Sequence, residues 1–161
     1  MSDTVSAIPQ GASPVTPHLV VRDAAGAIDF YAKAFGAEEV FRMPGPDGER
    51  LIHAEIRVNG GVVMLAEEAP EMGVLSPESL EGTPVTLHLY VADCDAAVKR
   101  AEEAGCQVTM PPADMFWGDR YGRVADPFGH SWSLATHQRD VSAEEMQDGM
   151  LAAFSGSKDC S

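Results

Sequence analysis

The chain is 161 residues long, with 45% hydrophobic side chains and 25 acidic against 11 basic groups, a formal charge of −14. That length fits one domain able to bury a core. The acidic excess excludes nucleic acid and anionic membrane surfaces as partners, because both need clustered cations.

The first element is the octet PVTPHLVV, residues 14–21, which reads as a strand. Asp23 follows as an N-cap, since its carboxylate can accept from free N–H groups of a first helical turn. Ala27, Ile28, Tyr31, Ala34 and Phe35 then recur on one helical face up to Gly36, a natural C-terminal stop. Residues 37–43 read as a second strand and 50–58 as a third, ending in the hairpin signal Asn59-Gly60. Residues 62–68 form the fourth, and the Pro-, Gly- and Ser-rich stretch 69–83 is a linker.

The pattern then repeats. PVTLHLYV, residues 84–91, matches the opening octet at six of eight places, His18 falling over His88. Asp93 is the second N-cap, and Ala97, Val98, Ala101 and Ala104 make the second apolar face before Gly105. Strands follow at 106–112, 118–125 and 130–137, the last entered by Asp126-Pro127-Phe128-Gly129, which has the chemistry of a type I turn. Met64-Leu65-Ala66 lies over Ser133-Leu134-Ala135. Beyond them, Ser142 and Glu145 form a capping box opening an amphipathic helix of Met146, Met150, Leu151 and Phe154, with a loose tail after it.

The expected fold is α+β. Two βαβββ modules at 14–68 and 84–138 form a cleft of curved mixed sheets, joined by the linker 69–83 and followed by a helix and tail at 139–161. Two such halves, with Ile28-Asp29-Phe30-Tyr31, Phe35-Gly36 and Asp126-Pro127-Phe128-Gly129-His130, resemble the vicinal oxygen chelate superfamily of glyoxalases, bleomycin- and fosfomycin-resistance proteins and extradiol dioxygenases. Ile52-His53-Ala54-Glu55 and Trp117-Gly118-Asp119-Arg120 resemble its PhnB-like branch. The resemblance implies a small-molecule ligand, a homodimer and, in metal-dependent members, a divalent ion (Zn, Ni, Fe or Mn) held by first- and fourth-strand residues of each module. Counting from the motifs places those slots at Thr16, Met64, Thr86 and Ser133, none a good ligand for such an ion.

His18 and His88 stand two residues beyond the threonine slots and share their strand face. A register shifted by two would put the histidines in the slots themselves. With Glu68 or Glu55 they make a candidate metal set, and either histidine is a candidate catalytic base. Without metal, the same pair simply hydrogen-bonds within a polar cleft. His53, Phe116, Trp117, Arg120, Tyr121 and Arg123 are further ligand candidates, the last five forming an aromatic and cationic run suited to a planar or anionic ligand. Phe30, Tyr31 and Trp132 are expected in the core. Cys94, Cys106 and Cys160 follow no metal or disulfide spacing, and with no secretory signal they point to a reducing cytoplasm. Two functions remain: a binder without a glyoxalase-type metal site and with no confidently assigned cofactor, or a metal-dependent lyase, isomerase or dioxygenase using His18 and His88.

Overall fold

The structure, a computed structural model, describes residues 5–155; Cys160 and nearly all of the tail expected to be loose lie outside them. The first module runs β1 (His18–Val21), α1 (Ala24–Phe35), β2 (Glu38–Pro44), β3 (Leu51–Val58) and β4 (Gly61–Glu67). A 3-10 turn at Pro70–Met72 and a short helix α2 (Pro77–Leu80) follow. The second module is β5 (Thr86–Tyr90), α3 (Cys94–Ala104), β6 (Gln107–Asp114), β7 (Asp119–Ala125) and β8 (Ser131–His137), and α4 (Ala143–Ser155) comes last. The sheets have the orders β1-β4-β3-β2 and β5-β8-β7-β6. In each, the first and fourth strands run parallel and the other pairs antiparallel. This is the α+β architecture of two βαβββ modules with a C-terminal helix.

The local chemistry explains the element ends. Asp23 accepts from Gly26 N at 2.8 Å and Asp93 from Ala96 N at 3.0 Å, so both helices begin on their aspartates. Gly36 closes α1 in the left-handed region (φ 68°). Arg100 of α3 donates to the carbonyls of Lys33 (2.7 Å) and Ala32 (3.1 Å), placing a cation on the negative end of α1. Asn59 and Gly60 both have positive φ (46° and 87°), as a two-residue hairpin of matching twist requires.

One expected boundary moves, and two elements gain detail. The first strand was expected from Pro14, but β1 starts at His18, whereas its copy β5 starts at Thr86. Pro17 stands where the second octet has Leu87, and proline has no N–H to give to a neighbouring strand. Thr16 therefore lies before the strand, its hydroxyl donating to Ser13 O at 2.8 Å. The linker is structured: Ser76, buried, caps α2 through Ser79 N, and Glu68 accepts from Ser76 N (3.0 Å), Ser79 Oγ (2.7 Å) and Arg22 Nε (3.2 Å). Finally, α4 opens on the expected reciprocal cap of Ser142 and Glu145, yet Met146, Met150, Leu151 and Phe154 stay exposed. The helix rests on its other side through Gly149, where an added Cβ would come within 2.7 Å of Phe116 Cβ.

The two modules share one apolar core, in which Val21, Ile28, Ile56 and Leu65 join Val98, Val124, Trp132 and Leu134. Helices α1 and α3 lie against each other, and Phe35 and Tyr31 of α1 meet Trp132 at ring distances of 4.5 and 5.5 Å. At this seam Asp126, 6% exposed, accepts from the Tyr31 hydroxyl at 2.7 Å and the Trp132 indole at 2.9 Å. Its other oxygen takes the backbone N–H groups of Phe128 and His130, both at 2.9 Å. His130 Nε2 in turn donates to Val20 O (3.0 Å) and Asn59 Nδ2 to Tyr90 O (2.6 Å), so each module pins the outer strand of the other. Burial, with Asp126 alongside, pushes the Tyr31 hydroxyl well above its ordinary titration range, so it stays a donor. Replacing Tyr31 with Phe deprives a buried carboxylate of one donor. The expected loss is about 1–3 kcal/mol, read as a lower urea midpoint; an unchanged midpoint would refute the role given to this bond.

Candidate functional site

Side chains alternate across a strand, so each sheet turns one row of residues toward the helices and the other away. On the outward face the strand register lines up transverse rows. In the first module the row is His18, Met64, Glu55 and Phe41, each directly opposite the next. In the second it is His88, Ser133, Arg123 and Met110. The neighbours of the fourth-strand slots Met64 and Ser133 are thus the repeated histidines, two residues beyond the threonines reached by counting. Thr86 pairs instead with Ser131.

The two rows differ in chemistry. His18 meets His53 edge-on at 5.8 Å, and His53 Nε2 lies 3.2 Å from Glu55 Oε1. Partial burial, and then the charge of His53, lower the pKa of His18 below that of a free imidazole. His88 Nδ1 shares a 2.7 Å hydrogen bond with Ser133 Oγ, and its ring touches Tyr90 at 4.6 Å and stacks on Tyr121 at 6.0 Å. Trp117 stands edge-on to Tyr121 at 5.5 Å, and Phe116 to Trp117 at 5.0 Å. These ring contacts draw each histidine into its own module.

Two expected site residues have other work. Arg120 faces α3, gripping Asp95 with two 2.8 Å bonds and Asp114 with a third at 3.3 Å. Glu68 anchors the linker, its carboxyl held down to about 2 by the Ser76 N–H, the Ser79 and Ser76 hydroxyls and Arg22. It does not join the histidines. Among the described residues no three of His, Cys, Asp and Glu gather as a metal-holding group. A thioether beside His18 and a hydroxyl beside His88 do not supply the carboxylates that such an ion favours, so the residues of one chain do not fit the divalent ion of metal-dependent relatives. Cys94 is no nucleophile candidate. It is buried, its thiol donates to Leu134 O at 3.1 Å, and burial followed by Asp95 raises its pKa.

Between the modules runs a mainly apolar groove of about 480 Å³, whose walls include Val15, Pro17, Val62, Val85 and Leu87, with Ser13, Thr16, Thr86 and His88 as polar groups. That size suits a small organic molecule. Arg123, on the Tyr121 face of β7, sends Nη2 to Thr86 Oγ1 (3.1 Å) and Ser131 Oγ (3.3 Å), behind the polar end of this groove. Parity along β7 separates it from Arg120: Arg123 is two residues from Tyr121, and Arg120 only one.

The family model described as Glyoxalase/Bleomycin resistance protein/Dioxygenase superfamily matches residues 13–134. The chain is 54% identical over 145 residues to the Mycobacterium tuberculosis protein Rv0887c, covering 88% of this chain and 85% of that one. It is 30% identical over 116 residues to the anthracycline biosynthesis protein DnrV of Streptomyces peucetius, covering 70% of this chain but 42% of DnrV. Among solved structures, TioX from Micromonospora sp. ML1 superposes with a TM-score of 0.63 at 27% identity, over 78% of this chain and 99% of TioX.

The His18–His53 contact has a measurable consequence. Because the folded protein binds the His18 proton less readily than the unfolded chain, stability from this group is full above about pH 6.5 and falls as pH drops through that window. By proton NMR, His18 should titrate below free imidazole, and His53→Gln should move its midpoint upward without restoring it fully. A midpoint unmoved by His53→Gln would show that the neighbouring charge is not felt.

Proposed function

The chain belongs to the Glyoxalase/Bleomycin resistance protein/Dioxygenase superfamily, and from that membership we propose that it binds a small organic ligand in the groove between its modules, without a glyoxalase-type metal set. One observation carries the reading: the register sets Met64 and Ser133, not carboxylates, beside the repeated histidines. The apolar walls of the groove bury the ligand body, while His88, held by Ser133, and Thr86 orient its polar atoms. The likeness to DnrV, named for anthracycline biosynthesis, adds support for a planar aromatic ligand. The Trp117–Tyr121–His88 series of rings supports the same class.

The working form is a homodimer in this proposal, supported by exposed Val40, Phe41, Met43 and Ile52 along β2 and β3. A cytoplasmic location is supported by the unpaired, buried Cys94 and Cys106. The PhnB-like branch rests on the two tetrapeptides at 52–55 and 117–120. A second reading, a divalent-metal-dependent lyase, isomerase or dioxygenase, is favoured by the same register, which does bring His18 and His88 to the neighbours of the fourth-strand slots. It needs further ligands that one chain does not gather. Elemental analysis of protein purified without added metal separates the two. The binder reading expects metal well below one ion per chain and no rise in melting temperature with Zn, Ni, Fe or Mn. Stoichiometric metal that disappears in His18→Ala or His88→Ala would replace it with the second reading.

A further inference from the structure

We infer that the ligand of the groove is an anion, an amphipathic carboxylate whose charged head is received by Arg123; this rests on the groove being the binding site. The first ground is a missing partner. The chain carries 25 acids against 11 Lys and Arg, so a cation that folds near any acid finds one easily. Arg22, Arg42, Arg50, Lys99, Arg120 and Arg139 do so, within 3.8 Å, whereas among the described residues Lys33, Arg57 and Arg100, like Arg123, pair with no acid; what separates Arg123 from these is its enclosed Nε and its place beside the groove wall Thr86. Arg123, half-buried on the outward face of β7, pairs with no acid among the described residues. It meets only the hydroxyls of Thr86 and Ser131, through Nη2.

The second ground is the state of the guanidinium. Its Nε is enclosed and has no hydrogen-bond partner. A partly buried positive charge without a counter-ion is unfavourable, and an incoming carboxylate offsets that cost directly. The hydroxyls hold Nη2 and so orient the planar fork, limiting the entropy lost on binding. Nη1 makes no hydrogen bond among the described residues.

The third ground is position. Thr86, which accepts from Arg123, is itself a wall of the groove, as is His88. His88 and Ser133 share the transverse row with Arg123. A molecule lying along Val62, Val85 and Leu87 therefore points one end at this polar row. The equivalent place in the other module is Glu55, so the duplicated site has one basic and one acidic half. An anion is directed to the second module and repelled from the first.

The test compares 2-naphthoate with 2-naphthamide, two probes of one shape that differ in charge, by quenching of tryptophan fluorescence. Trp132, which lines the groove, serves as reporter, and Trp117 stands further off beside Tyr121. The wild type should bind the carboxylate at least about tenfold tighter than the amide, as a charge-assisted hydrogen bond to a guanidinium implies. Arg123→Met should bring that ratio close to one while leaving amide binding in place, and Thr86→Val, which removes one of the two acceptors that hold Nη2 without removing the charge, should lower it. Circular dichroism of both variants checks that they fold. Equal binding of both probes by the wild type, or a preference that survives in Arg123→Met, overturns the inference and leaves the groove standing as a binding site. Failure of both probes to bind overturns the groove reading together with it.

Discussion

A single buried carboxylate holds the molecule together. Asp126 has its two oxygens satisfied by the Tyr31 hydroxyl, the Trp132 indole and two backbone N–H groups of its own turn. An ionised carboxylate removed from water is tolerable only with such a full set of donors. Because Tyr31 belongs to the first module and the rest to the second, the set is complete only when the modules are docked. The turn thus shapes the entry to β8, fixes α1 against Trp132, and places His130 to cap the edge of β1. The groove exists where the two outer strands β1 and β5 are held near each other's modules by His130 and Asn59.

Duplication supplied this arrangement, and small divergences gave it direction. The octets differ at Pro17 against Leu87 and at Val20 against Tyr90. The first difference shortens β1 and leaves Thr16 in a turn, whereas Thr86 begins a strand and accepts from Arg123. The second sets Tyr90 against the ring of His88. In the transverse rows Glu55 faces Met64, and Arg123 faces Ser133. Two histidines that look alike in sequence therefore sit in unlike surroundings: His18 beside another imidazole and a carboxylate, His88 among hydroxyls, aromatic rings and a guanidinium.

Much of the fold was legible beforehand because its signals are local. Asp23 and Asp93 cap helices through neighbours three residues away, Asn59-Gly60 takes positive φ by its own chemistry, and Ser142 with Glu145 closes its box within one turn. The site was legible only in part. Counting from motifs placed the slots at Thr16 and Thr86, whereas in both modules the register sets the histidine two residues further on beside the fourth-strand position, and a count along one strand carries no information on cross-strand register. Arg120 and Arg123 looked equivalent as cations in one aromatic run, and only the side of the sheet separates an arginine committed to Asp95 from one left without an acid.

Sequence by itself determined the two βαβββ units, their caps and turns, and the repetition of the histidine, because these follow from hydrogen bonds and periodicities spanning a few residues. Tertiary structure alone decided which side chains stand opposite one another. Cross-strand register, the docking of α1 on α3 and the reach of Tyr31 to Asp126 join residues as far as 95 positions apart. Nothing in a local window encodes such pairings, since they are fixed by how the shared core closes around Trp132 and Tyr31.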